Sequence, residues 1–376
     1  MRQKLEFVAD NGNTFEEIIA RWFQGQLKLP KEAKITRALR LAIQKSLLTE
    51  QNIRRYSYRP FVTNYVFFDP VVLKLLSSGG EGGGGTRFRP EICAAFSAPS
   101  TFGISVTPAP EDVGEALHRF VSFCWDLPDN DLAKRGNGRV CCNEFPYYKT
   151  DRGAWDSKPR CNVHPRLLRH ATLVPGCGNA ADAIVFYCYA ILCSNSYRDA
   201  FEGRLKAGMH EEWPRIPISS DPEMFLFLAE DGKRLALLEH PGEPVALSQS
   251  IQNALDQFTT SFYLARGEID EERQLIRLFA DGEDYRPRIE IANIPDGVLQ
   301  LRVSGYPPIQ QWLKIHTRTY ARTEFTKEDM RSLCALLERI SRQIDILERV
   351  NDTVQGLIDA PSDLLPFQNT PSPPQF

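Results

Sequence analysis

The amino-acid sequence predicts an α+β fold, with a mainly β region that carries long loops, a helical support region and a long C-terminal helix of spacer type. Short β-branched and aromatic runs, broken by Gly, Pro and Asn, indicate strands across residues 61–175. Continuous apolar patterns indicate helices at residues 180–207 and 222–239. Beyond Thr326, apolar residues recur at alternating spacings of four and three, which is typical of a helix with one coiled-coil-like seam.

The N-terminal segment predicts two helices. A capping box of Thr14 and Glu17 marks the start of the first, and the second follows Pro30 with apolar residues at every fourth position. A basic stripe with one cation every three residues starts at Lys28, and its candidate phosphate contacts are Lys31, Lys34, Arg37 and Arg40. The stripe fits either a solvated helix face or a face that follows a phosphate backbone.

The remaining elements follow in order along the chain. A strand is expected at 61–68, and the glycine run from Ser77 to Gly85 is expected to be a flexible loop, since it lacks the Gly-Lys-Ser/Thr ending of a phosphate-binding loop. Residues 289–303 predict two short strands around a Pro-Asp-Gly turn. A second capping box, Thr326 with Asp329, begins the C-terminal helix, whose seam consists of Leu333, Leu337, Ile340, Ile344 and Leu347.

These patterns divide the chain into five parts. They are a helical N-terminal segment (1–55), a β-rich domain (56–180), a helical and mixed support region (181–325), a long helix (326–350) and a disordered proline-rich tail (361–376).

The composition is that of an ordinary globular protein, with 42% hydrophobic and 25% charged residues and a net charge of −3. Positive charge is concentrated at residues 28–60, so a contact with a polyanion is expected to be local. The nine cysteines suggest no disulfide framework, and no signal peptide is recognised, so a reducing cytoplasm is expected. No apolar run is long enough to predict a membrane span.

No catalytic signature stands out. The Gly-x-Ser-x-Gly elbow is absent, and no Asn/Asp/Ser-Pro-Pro-Tyr/Phe turn of an adenine methyltransferase lies in a suitable place. The possible zinc ligands do not have the spacing of a tetrahedral structural site. They are Cys141, Cys142, Cys161, His164, His170 and Cys177. We therefore predict no catalytic residue, no cofactor and no metal in this chain, although the sequence leaves open whether it is an enzyme.

Binding chemistry is concentrated in residues 130–160, where cations alternate with amides and aromatic rings. Arg and Lys can bond guanine and Asn can bond adenine from a loop that enters the major groove. The candidate DNA contacts in this region are Lys134, Arg135, Asn137, Arg139, Arg152, Lys158 and Arg160. An ordinary polar surface loop between strands would also explain the pattern.

Four phrases that place an aromatic ring beside a proline stand in order along the chain, and each is expected to be a rigid corner. They are Tyr58 to Phe61, Phe145 to Tyr148, Trp213 to Pro217 and Gly305 to Pro308. Candidate core strands at 102–106 and 121–128 and a helix with its exit at 189–198 lie between them. Over about residues 50–350, this series resembles the C-terminal specificity region of Type ISP restriction–modification enzymes.

In that family one long chain joins a nuclease, a helicase-like ATPase, an adenine methyltransferase and a target-recognition domain. The resemblance implies sequence-specific recognition of double-stranded DNA in phage defence, with a methyltransferase and/or helicase–nuclease subunit or domain as partner. Because the motifs of those other parts are absent, the chain is expected to be a separate subunit, a truncated remnant or a fragment.

Two other functional hypotheses stay open. One is a cryptic metal-dependent nuclease built on Asp221, Glu230, Asp231 and Lys233. The other is a protein-interaction scaffold that uses the seam of the C-terminal helix.

Overall fold

The computed structural model describes eleven continuous parts of the chain and two single residues. They are residues 53–67, 90–96, 101–107, 118–129, 132, 143–149, 160–207, 214–240, 242–282, 286–303, 305–321, 323–360 and 364. The predicted N-terminal helices, the glycine run and nearly all of the proline-rich tail lie outside the described residues.

The first described element is a β-hairpin. Strands β1 (Ile53–Arg59) and β2 (Val62–Phe67) pair antiparallel, and strand β6 (Leu127–Pro128) adds to β1 in parallel. The turn between β1 and β2 contains Phe61, whose φ of 62° is unusual for a residue other than glycine. The predicted corner at Tyr58 to Phe61 is therefore the tip of this hairpin.

A three-stranded antiparallel sheet lies at the centre of the N-terminal half. Strand β3 (Gly103–Val106) lies between β5 (Val121–Cys124) and the edge strand β7 (Asn143–Pro146). A Cβ on Gly103 would lie 2.9 Å from the Phe145 carbonyl oxygen, so this position needs glycine.

The remaining elements of this half are short. They are helix α1 (Pro90–Ala95) and strands β4 (His118–Arg119), β8 (Tyr148–Lys149) and β9 (Arg160–Cys161). The predicted corner at Phe145–Tyr148 is present, since β7 ends at Pro146 and β8 begins at Tyr148. A proline fits there because an edge strand does not need every backbone N–H.

The described residues of this half contain five more helices, of which the last four lie in predicted positions and the first was not predicted. They are α2 (Pro165–Thr172), α3 (Ala180–Cys193), α4 (Asn195–Ala200), α5 (Glu202–Ala207) and α6 (Pro222–Glu239). Asn179 caps α3 and Asp221 caps α6 through side-chain oxygens, as expected for these residue types. The strands β3 and β5 share one hydrophobic core with α3 and α6, so this core crosses the predicted boundary at residue 180.

The C-terminal half begins with helix α7 (Gln249–Asp256) and an antiparallel sheet of β10 (Leu264–Asp270), β11 (Leu275–Ala280) and β12 (Ile289–Ile291). It continues with strand β13 (Arg302–Val303) and helices α8 (Pro308–His316) and α9 (Arg318–Ala321). The two strands predicted at 289–303 are present but do not pair with each other. Instead β12 pairs with β11, and β13 pairs with β4 in the other half of the chain.

Helix α10 (Lys327–Asp359) starts at the predicted capping box of Thr326 and Asp329 and ends nine residues beyond the predicted end at 350. Its first half packs in the core of the C-terminal half through residues such as Leu333 and Leu337. Its second half packs in the core of the N-terminal half through Leu347 and Val350. The predicted long C-terminal helix is present, and its seam is buried largely within the chain itself, which disfavours a scaffold that binds a partner through this seam.

A buried polar network joins four of these elements. The Arg119 guanidinium on β4 donates to the Glu239 carboxylate at the end of α6 and, at 3.1 Å, to the Gln343 amide oxygen on α10. The Tyr189 hydroxyl on α3 also donates to Glu239. Arg119, Glu239 and Gln343 are all buried, so the network fixes β4, both core helices and α10 relative to one another.

Candidate nucleic-acid interface

Of the eleven predicted DNA contacts, Arg160 is the one within the described residues. The other ten lie outside them, and they are Lys31, Lys34, Arg37, Arg40, Lys134, Arg135, Asn137, Arg139, Arg152 and Lys158. Their roles therefore stay predictions. The described residues that flank these segments form the structural support of the candidate interface.

The segment 133–142 follows an anchored stretch of chain. Asp129 donates its backbone N–H to the Ser57 carbonyl at 2.8 Å, and its carboxylate lies 3.7 Å from the Arg59 guanidinium. Leu132, which is 1% exposed, donates its N–H to the Asp129 carbonyl. The next described element is β7, the edge of the central sheet, so described residues with defined contacts lie on both sides of this segment.

The segment 150–159 connects the two strands of a short antiparallel ribbon. In β8 and β9, Tyr148 pairs with Cys161 and Lys149 pairs with Arg160. The Asn162 side chain donates to the Pro146 carbonyl at 3.1 Å, and the Tyr147 N–H donates to the Phe102 carbonyl at 2.7 Å. The ribbon is therefore fixed to the central sheet, and Arg160 is exposed on it.

Stacked aromatic rings support the base of the ribbon. Phe102 contacts Tyr147, Phe123 and Phe186 at centroid distances of 4.7, 5.5 and 5.6 Å. Burial, together with the neighbouring Asp182 carboxylate, raises the pKa of Tyr147 to about 12, so this hydroxyl stays neutral under physiological conditions. The aromatic packing therefore provides a rigid, uncharged platform beneath the candidate loops.

Helix α2 adds cations that the sequence analysis missed. Arg166 and Arg169 are exposed, three residues apart and close in sequence to Arg160. Leu167 and Leu168 on the same helix pack against the core. The signal for this helix was present in the sequence: His164 caps it by accepting from the Arg166 N–H at 3.2 Å, and Pro165 occupies the first turn.

An apolar cavity of about 330 Å³ lies beside the ribbon. Its walls include Pro146 of β7, Leu167 of α2, Ile184 of α3 and Ile216. Within the described residues, the lining contains no Lys, Arg, Asp or Glu. The cavity therefore lies next to the cationic residues of α2 but carries none of their charge itself.

The residues proposed for a nuclease do not converge. Asp221 caps the start of α6, and its side chain accepts from the Glu223 N–H at 3.0 Å. Asp231 lies ten residues later, about 15 Å along the axis of the same helix. Asp231 is 1% exposed and pairs with Arg234 at 2.8 Å and Arg349 at 3.3 Å, so it holds α6 against α10.

The described parts of the chain contain no cluster of three or more His, Cys, Asp or Glu side chains that could hold a metal ion. Of the possible zinc ligands, Cys141 and Cys142 lie outside these parts. Within these parts, no helix is both long enough and apolar enough to cross a membrane.

A family model described as the Type ISP C-terminal specificity domain matches residues 5–347. This match confirms the resemblance that the proline phrases indicated. No curated protein matches the chain.

Solved structures also resemble the chain. For the ATP-dependent Type ISP restriction-modification enzyme LlaBIII bound to DNA, the identity is 16% and the TM-score 0.51, covering 93% of this chain and 22% of that one. For a DrdV–DNA complex, the identity is 17% and the TM-score 0.52, covering 98% of this chain and 33% of that one. For a nuclease-deletion mutant of the Type ISP enzyme LlaGI in complex with a DNA substrate mimic, the identity is 13% and the TM-score 0.48. The match covers 93% of this chain and 30% of that one.

The similarity to LlaBIII and DrdV shows a shared fold, and the predicted α+β class is confirmed. The chain spans between about a fifth and a third of the length of these solved proteins.

Proposed function

Because the chain belongs to the family of Type ISP C-terminal specificity domains, we propose that it recognises a DNA sequence for a Type ISP restriction–modification enzyme. The observation that carries this proposal is the family match, which runs through both hydrophobic cores and most of α10. Two proteins that share the fold, LlaBIII and DrdV, were solved with DNA, which supports the same role here.

Recognition would combine two kinds of contact. Arg160, Arg166 and Arg169 would bind phosphates and fix the position of the duplex, since a guanidinium matches a phosphate in both charge and shape. Loop residues between β6 and β9, with Asn137 and Arg139 as the leading candidates, would read base edges in the major groove. The anchored ends of these loops support this role, because rigid attachment lowers the entropy lost on binding.

Catalysis would belong to other parts of the enzyme. The chain spans at most 33% of the solved proteins that it resembles. We therefore propose that a methyltransferase and a helicase–nuclease, as domains of the same protein or as separate subunits, act on the DNA that this chain selects. In this scheme the partner would extrude and methylate an adenine or cut the duplex.

Selection from a pool of randomised duplexes tests the proposal. The full chain, alone and with any partner subunits, is expected to enrich one sequence. Asn137→Ala and Arg139→Ala are expected to relax the preference at particular base pairs, whereas Arg166→Ala weakens binding to all duplexes alike. A pool that remains unenriched under both conditions would contradict the recognition function.

A further inference from the structure

The segment Pro214–Ser219, which leads into α6, is held by tyrosine hydroxyls from two helices. The Tyr197 hydroxyl on α4 donates to the Pro214 carbonyl at 2.9 Å. The Tyr187 hydroxyl on α3 donates to the Pro217 carbonyl at 2.8 Å and accepts from the Ser219 N–H at 3.0 Å. Within the described residues its only strand-type pairing is an isolated bridge between Ser219 and Leu364, so the tyrosines provide its main polar anchors.

Both tyrosines are suited to this task because they are rigid and neutral. Tyr187 and Tyr197 are 0% and 1% exposed, and Tyr187 stacks on Phe225 with 4.9 Å between ring centroids. Burial raises the pKa of both hydroxyls well above the ordinary tyrosine value. The three hydrogen bonds therefore persist throughout the physiological pH range.

Arg215 is the exposed residue in the middle of this anchored segment. Its neighbours Pro214 and Pro217 are buried, and Ile216 packs against the core of the N-terminal half. The two prolines also restrict φ on either side. The backbone at Arg215 is therefore fixed before any ligand arrives, and its side chain extends from a rigid support.

The surroundings of this segment connect it with the candidate interface. Pro214 and Ile216 line the apolar cavity together with His164 and Leu167 of α2. Arg215 thus lies between two cavity-lining residues, and α2, which also lines the cavity, carries the exposed Arg166 and Arg169. Exposed cations on two elements that line one uncharged cavity could bind phosphates of one nucleic-acid backbone.

We propose that Arg215 binds a DNA phosphate and that Tyr187 and Tyr197 are positioning residues for it. This inference rests on the proposed DNA-binding function and names a contact that the sequence analysis did not select. The anchored backbone lowers the entropy lost when the guanidinium binds, so the contribution of Arg215 depends on the tyrosine hydroxyls.

The test measures binding of the full chain to a labelled duplex of random sequence, because a phosphate contact does not depend on base sequence. Arg215→Ala is expected to weaken binding about tenfold and to lower the slope of log K against log salt concentration by about 0.9. Arg215→Lys is expected to retain the slope and part of the affinity. Arg273→Ala, which removes an exposed cation in the C-terminal half, is the charge-matched control and is expected to change neither.

A double-mutant cycle isolates the positioning role. Tyr197→Phe removes one hydroxyl and keeps the buried ring, and it is expected to weaken binding about threefold in the wild-type background. In the Arg215→Ala background the same change is expected to have no effect on binding. If Tyr197→Phe does not fold, as judged by circular dichroism, Tyr187→Phe takes its place in the cycle.

Different results would overturn different parts of the account. Unchanged affinity and salt slope in Arg215→Ala would overturn the phosphate contact, even if the chain prefers one sequence. Equal losses from the tyrosine variant in both backgrounds would overturn the positioning role. Binding that is sensitive to Arg215 but shows no sequence preference would instead contradict the proposed function and leave this contact intact.

Discussion

The Arg119 guanidinium and the Glu239 carboxylate form an ion pair in the protein interior, where each side chain is 2% exposed. Burial alone would lower the pKa of Arg119, but the attraction and hydrogen bond of Glu239, together with Tyr189 and Cys193, more than reverse this effect, so the pKa is raised. Glu239 also accepts from the Phe123 N–H at 3.0 Å. The pair therefore connects β4 and β5 with the end of α6, beneath the sheet that supports the candidate interface.

Replacing Glu239 by Gln should destabilise the protein strongly. The change leaves the Arg119 charge buried without its counter-ion, and the expected loss is about 3–5 kcal/mol in the free energy of unfolding. Urea denaturation measures it. The control is Arg273→Ala, which breaks an exposed pair with Asp270 at 3.9 Å and is expected to change stability by less than about 1 kcal/mol. Similar losses in both variants would contradict the structural role of the buried pair.

Two helical glycines should respond to alanine in opposite directions. A Cβ on Gly232 in α6 would lie 1.9 Å from the Phe186 carbonyl oxygen of α3, so the two helices would have to move apart. We expect Gly232→Ala to cost about 3 kcal/mol or more. Gly356 in α10 is exposed with no atom within 4 Å of such a Cβ, so Gly356→Ala should stabilise by about 0.5–1 kcal/mol. Thermal unfolding of both variants measures the two changes in stability and shows whether only Gly232 lies in a close helix contact.

His240 should make stability depend on pH. Burial, and then the nearby Arg55 charge, lowers the pKa of His240 below its ordinary value of 6.5, and its ring nitrogen accepts from the Gly242 N–H at 3.2 Å. The unfolded chain therefore binds a proton more readily than the folded one. This contribution to stability is complete above pH 6.5 and is lost as the pH falls towards the lowered value.

The measurement for His240 is urea denaturation at several pH values above and below 6.5. His240→Asn keeps an acceptor for Gly242 and is expected to flatten the pH dependence. An unchanged profile in His240→Asn would assign the dependence to other groups.

The exposed arginines of α2 should contribute to DNA affinity without sequence preference. Arg166→Ala and Arg169→Ala are each expected to lower the salt slope by about 0.9 and to weaken specific and random duplexes by the same factor. Electrophoretic mobility shifts over a range of salt concentrations measure both quantities. A change confined to the preferred sequence would instead indicate that these residues read bases.

Local sequence signals predicted the individual elements well. The apolar patterns located α3 and α6, and the capping box located the start of α10, because these signals depend on residues within a few turns of one another. The partners of these elements could not be predicted in the same way. The seam of α10 has the same spacing whether it packs in its own chain or against another, and only the fold shows that it joins both cores.

Long-range polar contacts were also beyond the sequence. Nothing near Arg119 in the chain indicates that it meets Glu239, which is 120 residues away. The tyrosine anchors around Arg215 are also distant in the sequence. Tyr197 lies 17 residues before Pro214, and Tyr187 lies 30 residues before Pro217. In contrast, the His-Pro pair at 164–165 is a local signal for the start of α2. This signal could have identified Arg166 and Arg169 as candidate DNA contacts on a helix.

The most direct test of the central claim is a competition titration of the full chain between its selected duplex and a duplex of random sequence at physiological salt. Sequence recognition predicts that the selected duplex binds about a thousandfold or more tightly than the random one. Alanine at Asn137 and Arg139 should reduce this ratio, whereas alanine at Arg166 should leave it unchanged. A ratio near one for the wild-type chain, with or without partner subunits, would contradict the assignment of DNA target recognition to this protein.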